Sequence, residues 1–117
     1  MSNTTIYHNS RCSKSRQTLA LLTENDISPT IVEYLKSPPS IKTLNTLLQQ
    51  LDISPRQLLR KGEAIYKELN LSDKNLADHQ LIQAMHEHPK LIERPIVIHN
   101  NKAKLGRPPE AVLTLFL

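Results

Sequence analysis

The chain has 117 residues, enough for one ordinary domain (1–117) whose core needs no disulfide or metal to hold it. Its net charge is +4 and its pI is near 9.4, so anions are candidate partners. With three Tyr, one Phe, no Trp and scattered Lys and Arg, it offers little for base stacking, which argues against nucleic acid and for a small anion. A single cysteine cannot close an internal disulfide, and no leader or membrane-length apolar run is visible, so a soluble cytoplasmic protein with no membrane partner is expected.

Residues 4–8 read as a short apolar strand that ends just before Cys12. Ser13 can cap a helix predicted to run to about Asn25, with Thr18, Leu19, Leu21 and Leu22 inward and Asn25-Asp26 as its stop. Residues 30–35 are predicted as a second strand. The helix between them is long enough to make the two strands parallel neighbours.

Pro38-Pro39 breaks the chain, and Ser40 caps an amphipathic helix carrying Ile41, Leu44, Leu47, Leu48 and Leu51 at helical spacing. Ser54-Pro55 opens another, predicted to end at Arg60-Lys61-Gly62 with Gly62 as a left-handed cap. Residues 63–69 and 78–88 give two further helices, the second with Leu81, Ile82 and Met85 inward.

Ile96 to His99 and Lys102 to Leu105 flank Asn100-Asn101. Asn tolerates positive φ, so this pair predicts a two-residue hairpin and antiparallel strands. Pro108-Pro109-Glu110 then opens a C-terminal helix with Val112, Leu113 and Phe116 available for packing. The order β-α-β then β-β-α, with a cysteine after the first strand, outlines an α/β thioredoxin-like fold with a mixed sheet. Its helical insertion, about residues 40–90, falls between the second and third strands.

Cys12 is the residue on which function turns. A helix start offers unpaired N–H groups and the positive end of the macrodipole, and both favour an anionic sulfur and an oxyanion brought beside it. His8, Arg11, Lys14 and Arg16 are expected to add local positive charge, giving a thiolate pKa below that of a free cysteine. The plainer alternative is a buried, inert thiol acting as a small hydrophobe. Metal binding is not expected: His86 and His88 are two apart on a predicted helix and face different ways, and one cysteine supplies no zinc spacing. His79 and His86 read as helix-surface residues, and His99 as a strand-end residue.

Four separated stretches carry a family likeness: His8-Asn9-Ser10-Arg11-Cys12-Ser13-Lys14-Ser15-Arg16, Leu59-Arg60-Lys61, Glu93-Arg94-Pro95-Ile96-Val97 and Gly106-Arg107-Pro108-Pro109. In order and spacing the chain resembles the glutaredoxin-coupled arsenate reductase (ArsC) family over essentially its whole length, and within it the members with a Cys-Ser-Lys-Ser motif. The resemblance implies that Cys12 attacks arsenate to form a thiol–arsenate adduct and that Arg60, Arg94 and Arg107 surround the oxyanion. It implies that His8 lies near the thiol and that the Ser15 hydroxyl can bond it. It also implies a cis Pro95, glutathione as co-substrate, glutaredoxin as partner, and no bound cofactor. The chain differs from common members at Ser10, where proline is usual, and at Arg11, where a small residue is usual.

Three arginines suit such a site on chemical grounds. Arsenate is anionic at neutral pH and repels a thiolate, whereas the planar guanidinium fork pairs with tetrahedral oxyanions and stays charged when partly desolvated. Each arginine taken alone also fits a solvated surface charge. Two other classes remain open from sequence: a monothiol glutaredoxin-like oxidoreductase acting on glutathione mixed disulfides, and an Spx-like regulator that binds RNA polymerase. The first has no use for three arginines. The second usually carries Cys-x-x-Cys, where this chain has Ser15 at the second position.

Overall fold

The computed structural model describes residues 3–117, which form two compact units: residues up to Ser37 together with Arg94–Leu117, and Pro38–Glu93. The first holds β1 (Thr4–Tyr7), α1 (Ser13–Glu24), β2 (Thr30–Val32), β3 (Ile96–His99), β4 (Lys102–Leu105) and a C-terminal 3-10 segment, Pro109–Phe116. The second holds α2 (Ile41–Leu51), α3 (Pro55–Leu58), α4 (Ala64–Glu68), α5 (Asp78–Glu87) and a short 3-10 turn, Pro89–Leu91.

In the sheet-bearing unit the strand order is β2-β1-β3-β4. β1 runs parallel to β2 and antiparallel to β3, and β3 is antiparallel to β4, giving the mixed sheet of a thioredoxin-like fold. Period-two alternation turns Thr4 and Ile6 of β1 inward, and His8, one step further on that face, is buried as well. Ile6, Leu22, Val97 and Val112 form the core, with Leu19, Ile27, Leu115 and Phe116 packed against it. Full burial of each large apolar side chain contributes about 1.5–3 kcal/mol.

The helical unit follows its sequence signals closely. The Ser40 hydroxyl accepts from the Thr43 N–H, and Ser54 with Gln57 forms a reciprocal capping box around Pro55. Leu44, Leu47 and Leu48 of α2 and Leu81, Ile82 and Met85 of α5 are buried where those helices pack. His86, expected on the helix surface, is half-buried, with Nδ1 2.9 Å from the Pro39 carbonyl oxygen.

Four local expectations are corrected. Cys12, not Ser13, is the N-cap of α1, and it caps through its extended backbone without a side-chain hydrogen bond. The second strand stops at Val32, because the chain turns at Glu33, whose carbonyl accepts from Lys36 and Ser37. The helix α3 ends at Leu58 and not at Gly62, which takes no positive φ: Leu59 leaves to bridge Ile92, and the Arg60 N–H donates to Leu91 O. The C-terminal segment is helical but winds as a 3-10 helix.

Asn100 and Asn101 both have positive φ, 50° and 67°, as a type I′ hairpin requires. Replacing Asn101 with Gly should therefore leave stability within about 0.5 kcal/mol, whereas Val should cost about 1–2 kcal/mol, measured by denaturant unfolding.

Candidate active site

The loop between β1 and α1 is shaped by Asn9. Its carbonyl accepts from the Cys12 N–H at 3.0 Å, its Oδ1 accepts from the Arg11 N–H at 3.0 Å, and its own N–H donates to Ser15 Oγ at 3.0 Å. An Asn side chain bonding the backbone two residues on is an Asx turn, and it presents Cys12 at the helix start. In sequence Asn9 figures only within a motif, although an Asn placed just before a predicted helix is itself a turn signal.

Cys12 is 8% exposed. Burial pushes its thiol up, but the backbone N–H of Ser15, the Arg94 guanidinium and the backbone N–H of Lys14 all favour the anion, and together they hold the thiol below the ordinary cysteine value. Ser15 thus reaches the sulfur through its main chain. Its fully buried hydroxyl lies 2.7 Å from His8 Nδ1.

His8 was expected to add positive charge, and here the structure overturns the expectation. Burial lowers its pKa, Glu33 opposes this and Arg16 adds to it, so at neutral pH the ring is uncharged. The ring and the Ser15 hydroxyl share their hydrogen bond through Nδ1, while Ser15 Oγ accepts the Asn9 N–H. His8 therefore braces the loop through Ser15, as an uncharged partner.

Arg94 precedes the cis peptide bond to Pro95, and a second cis bond joins Arg107 to Pro108. The two arginine segments are stitched together: Gly106 N–H donates to Pro95 O at 2.9 Å, and Arg107 Nε donates to Arg94 O at 2.8 Å. A Cβ on Gly106 would lie 2.5 Å from Thr18 Oγ1 and 2.6 Å from Pro95 Cγ, so only glycine fits. Thr18 is fully buried and cannot swing aside freely, because its hydroxyl donates to Lys14 O at 2.8 Å. Thr18 and Gly106 are thus spacers between α1 and the arginine segments. No sequence periodicity marks such a contact.

Cys12, His8, Ser15, Arg94 and Arg107 all belong to the sheet-bearing unit. Arg60 belongs to the helical unit, where Nη1 donates to Glu93 Oε1 at 3.1 Å and Nε lies 3.4 Å from Glu63 Oε1. Among the described residues no group of three or more His, Cys, Asp or Glu could hold a metal ion, and no helix is long and apolar enough to cross a membrane.

Three outcomes follow from this geometry. Gly106→Ala should lose about 1–3 kcal/mol of unfolding free energy, and combining it with Thr18→Ala should recover part of that loss in a double-mutant cycle. Arg94→Ala should raise the midpoint of Cys12 alkylation against pH. Both His8 and Cys12 have folded pKa values below their unfolded ones. The stability they contribute is present above the unfolded values and lost as pH falls, and His8→Asn should flatten the loss seen below about pH 6.5.

The chain is similar in sequence and fold to known proteins. The ArsC family model matches residues 7–115. An arsenate reductase structure from Vibrio cholerae superposes with a TM-score of 0.96 at 52% identity, covering 97% of this chain and 98% of that one. An arsenate reductase of Haemophilus influenzae is 49% identical over 94% of this chain and 96% of its own length. An uncharacterised Escherichia coli protein, YfgD, is 56% identical over 94% of this chain and 93% of its own length. With the thiolate, the paired arginine segments and this match along nearly the whole sequence, the chain belongs to the ArsC family.

Proposed function

We propose that this protein is an arsenate reductase that uses Cys12 as nucleophile and takes its electrons from glutathione, with glutaredoxin as partner, in the reducing cytoplasm. The observation that carries the reading is the Cys12 thiolate held by Arg94, with Arg107 fastened to the Arg94 carbonyl. A sulfur anion and two guanidinium groups in one unit suit a reaction in which an anion attacks an oxyanion.

In this reading Cys12 sulfur displaces one arsenate oxygen, which leaves as water once protonated, and arsenic remains pentavalent in the adduct. A glutathione thiol then attacks, two thiols supply two electrons, and arsenic leaves as arsenite. Overall, arsenate and two thiols give arsenite, one disulfide and water. Glutaredoxin clears glutathione from the mixed species. One cysteine suffices because the second sulfur comes from outside.

Within the proposal, Arg94 serves sulfur and substrate, and Arg107 serves the oxyanion. His8 and Ser15 keep the loop in the geometry that directs main-chain N–H groups at sulfur. Arg60 enters through the family resemblance. In its own unit it is engaged by Glu63 and Glu93, so an oxyanion would compete with two carboxylates for it.

A coupled assay with arsenate, glutathione, glutaredoxin and glutathione reductase, followed by NADPH consumption, tests the reading. Cys12→Ser should abolish turnover, and Ala at Arg60, Arg94 or Arg107 should lower it about 10²-fold or more, the scale of a lost transition-state donor. Lys should rescue poorly because it lacks the paired fork. Arg107→Ala should leave Cys12 alkylation by iodoacetamide near the parental rate, since that reaction develops no oxyanion. If the parent reduced glutathione mixed disulfides but no arsenate, a monothiol glutaredoxin-like activity would replace this reading.

A further inference from the structure

Cys12 is the only cysteine in the chain, so on the reading above the thiol that completes each turnover arrives from another molecule. The surface that flanks Cys12 along its own loop and helix carries Arg11, Lys14 and Arg16, all exposed. Residues 3–23 contain no Asp or Glu, and none of the three cations joins an ion pair among the described residues. Arg16 folds back, donating from Nη1 to the Ser10 carbonyl at 2.9 Å, which keeps its charge over the Cys12 loop. Glu33, the carboxylate whose charge reaches His8, lies 3.6 Å from Lys36.

The interactions identified at the thiolate involve other groups. Its support comes from the main chain of Ser15 and Lys14 and from the Arg94 guanidinium. Three cations thus lie within six residues of chain around the nucleophile, Arg16 turned back onto the loop by its bond to Ser10, with no described partner of opposite charge. Their footprint is small, since α1 rises only about 1.5 Å per residue, whereas a stable protein interface covers about 800 Å² per partner. A compact molecule with carboxylates on either side of its sulfur matches that footprint.

We propose that Arg11, Lys14 and Arg16 form a recognition rim for the carboxylates of the small thiol that resolves Cys12, so that the site selects anionic thiols over neutral or cationic ones. The rim rests on the thiol-dependent reading above but can be tested without arsenate. In the test reaction the Cys12 thiolate attacks one sulfur of a disulfide. One S–S bond breaks, a mixed disulfide on Cys12 forms, and a thiolate leaves, with no net oxidation.

Exchange rates would be measured with glutathione disulfide (anionic), 2-hydroxyethyl disulfide (neutral) and cystamine (cationic), each divided by its rate with 2-mercaptoethanol. At low ionic strength glutathione disulfide should be preferred over cystamine by about tenfold or more, and about 1 M salt should erase most of the preference. The variant Arg11→Glu should cut the glutathione disulfide rate about threefold or more while the neutral reagent, which reports thiolate fraction and folding, stays within about twofold. A charge preference unmoved by salt and by the variant would overturn the rim. So would a variant that keeps its preference for glutathione disulfide yet loses reactivity toward an acidic protein thiol, since the cations would then serve a protein surface. Because the assay contains no arsenate, a parent protein inactive on arsenate could still show the rim, and full arsenate turnover without charge preference would remove the rim alone.

Discussion

The Cys12 loop and the arginine segments beside it answer to one electrostatic conflict: a sulfur that is nearly buried must still be an anion. Burial alone drives Cys12 toward the neutral thiol, and two main-chain N–H groups and one guanidinium reverse it. The N–H groups exist because α1 begins at Ser13, and they point at sulfur because Asn9 turns the loop. The guanidinium is present because Arg94 stands where the chain enters β3, next to β1 in the sheet. A change in any of these elements is felt as a change in the charge of one atom.

The second guanidinium depends on the first through the backbone. Arg107 is tied to the Arg94 carbonyl, and the strand pair that brings the two segments together closes on Gly106 against Pro95 and Thr18. Such contacts have no slack, since packed interiors transmit displacements of a methyl group. The placement of two guanidinium groups is thus set by a contact that carries no charge itself.

Much of this was legible in the sequence because the signals are local. Ser40 and Ser54-Pro55 state where helices begin, Asn100-Asn101 states a primed turn, and the spacing of Leu44, Leu47, Leu81 and Met85 states which faces are buried. The order of elements was enough for the thioredoxin-like outline. What local pattern could not carry was set by partners distant in sequence. Leu59 leaves the helical path to pair with Ile92, the second strand is cut short by a turn at Glu33, and His8 loses its charge because strand alternation turns it inward. Cys12, Arg94 and Arg107 could be named from motif likeness. Asn9, Thr18 and Gly106 act through contacts that only folded geometry reveals.

The strand order also dictates when the site can exist. β1 lies between β2, which follows it closely in sequence, and β3, whose Val97 pairs with Ile6 across 97 − 6 = 91 residues. During synthesis the N-terminal β-α-β half emerges first, with the β3 side of its central strand unpaired until the whole helical insertion and β3 have followed. Closing that long loop costs chain entropy before any contact rewards it. Cys12 and the guanidinium groups of Arg94 and Arg107 therefore come from opposite ends of the translation schedule, and the nascent chain carries a cysteine whose charged partner Arg94 has not yet been made.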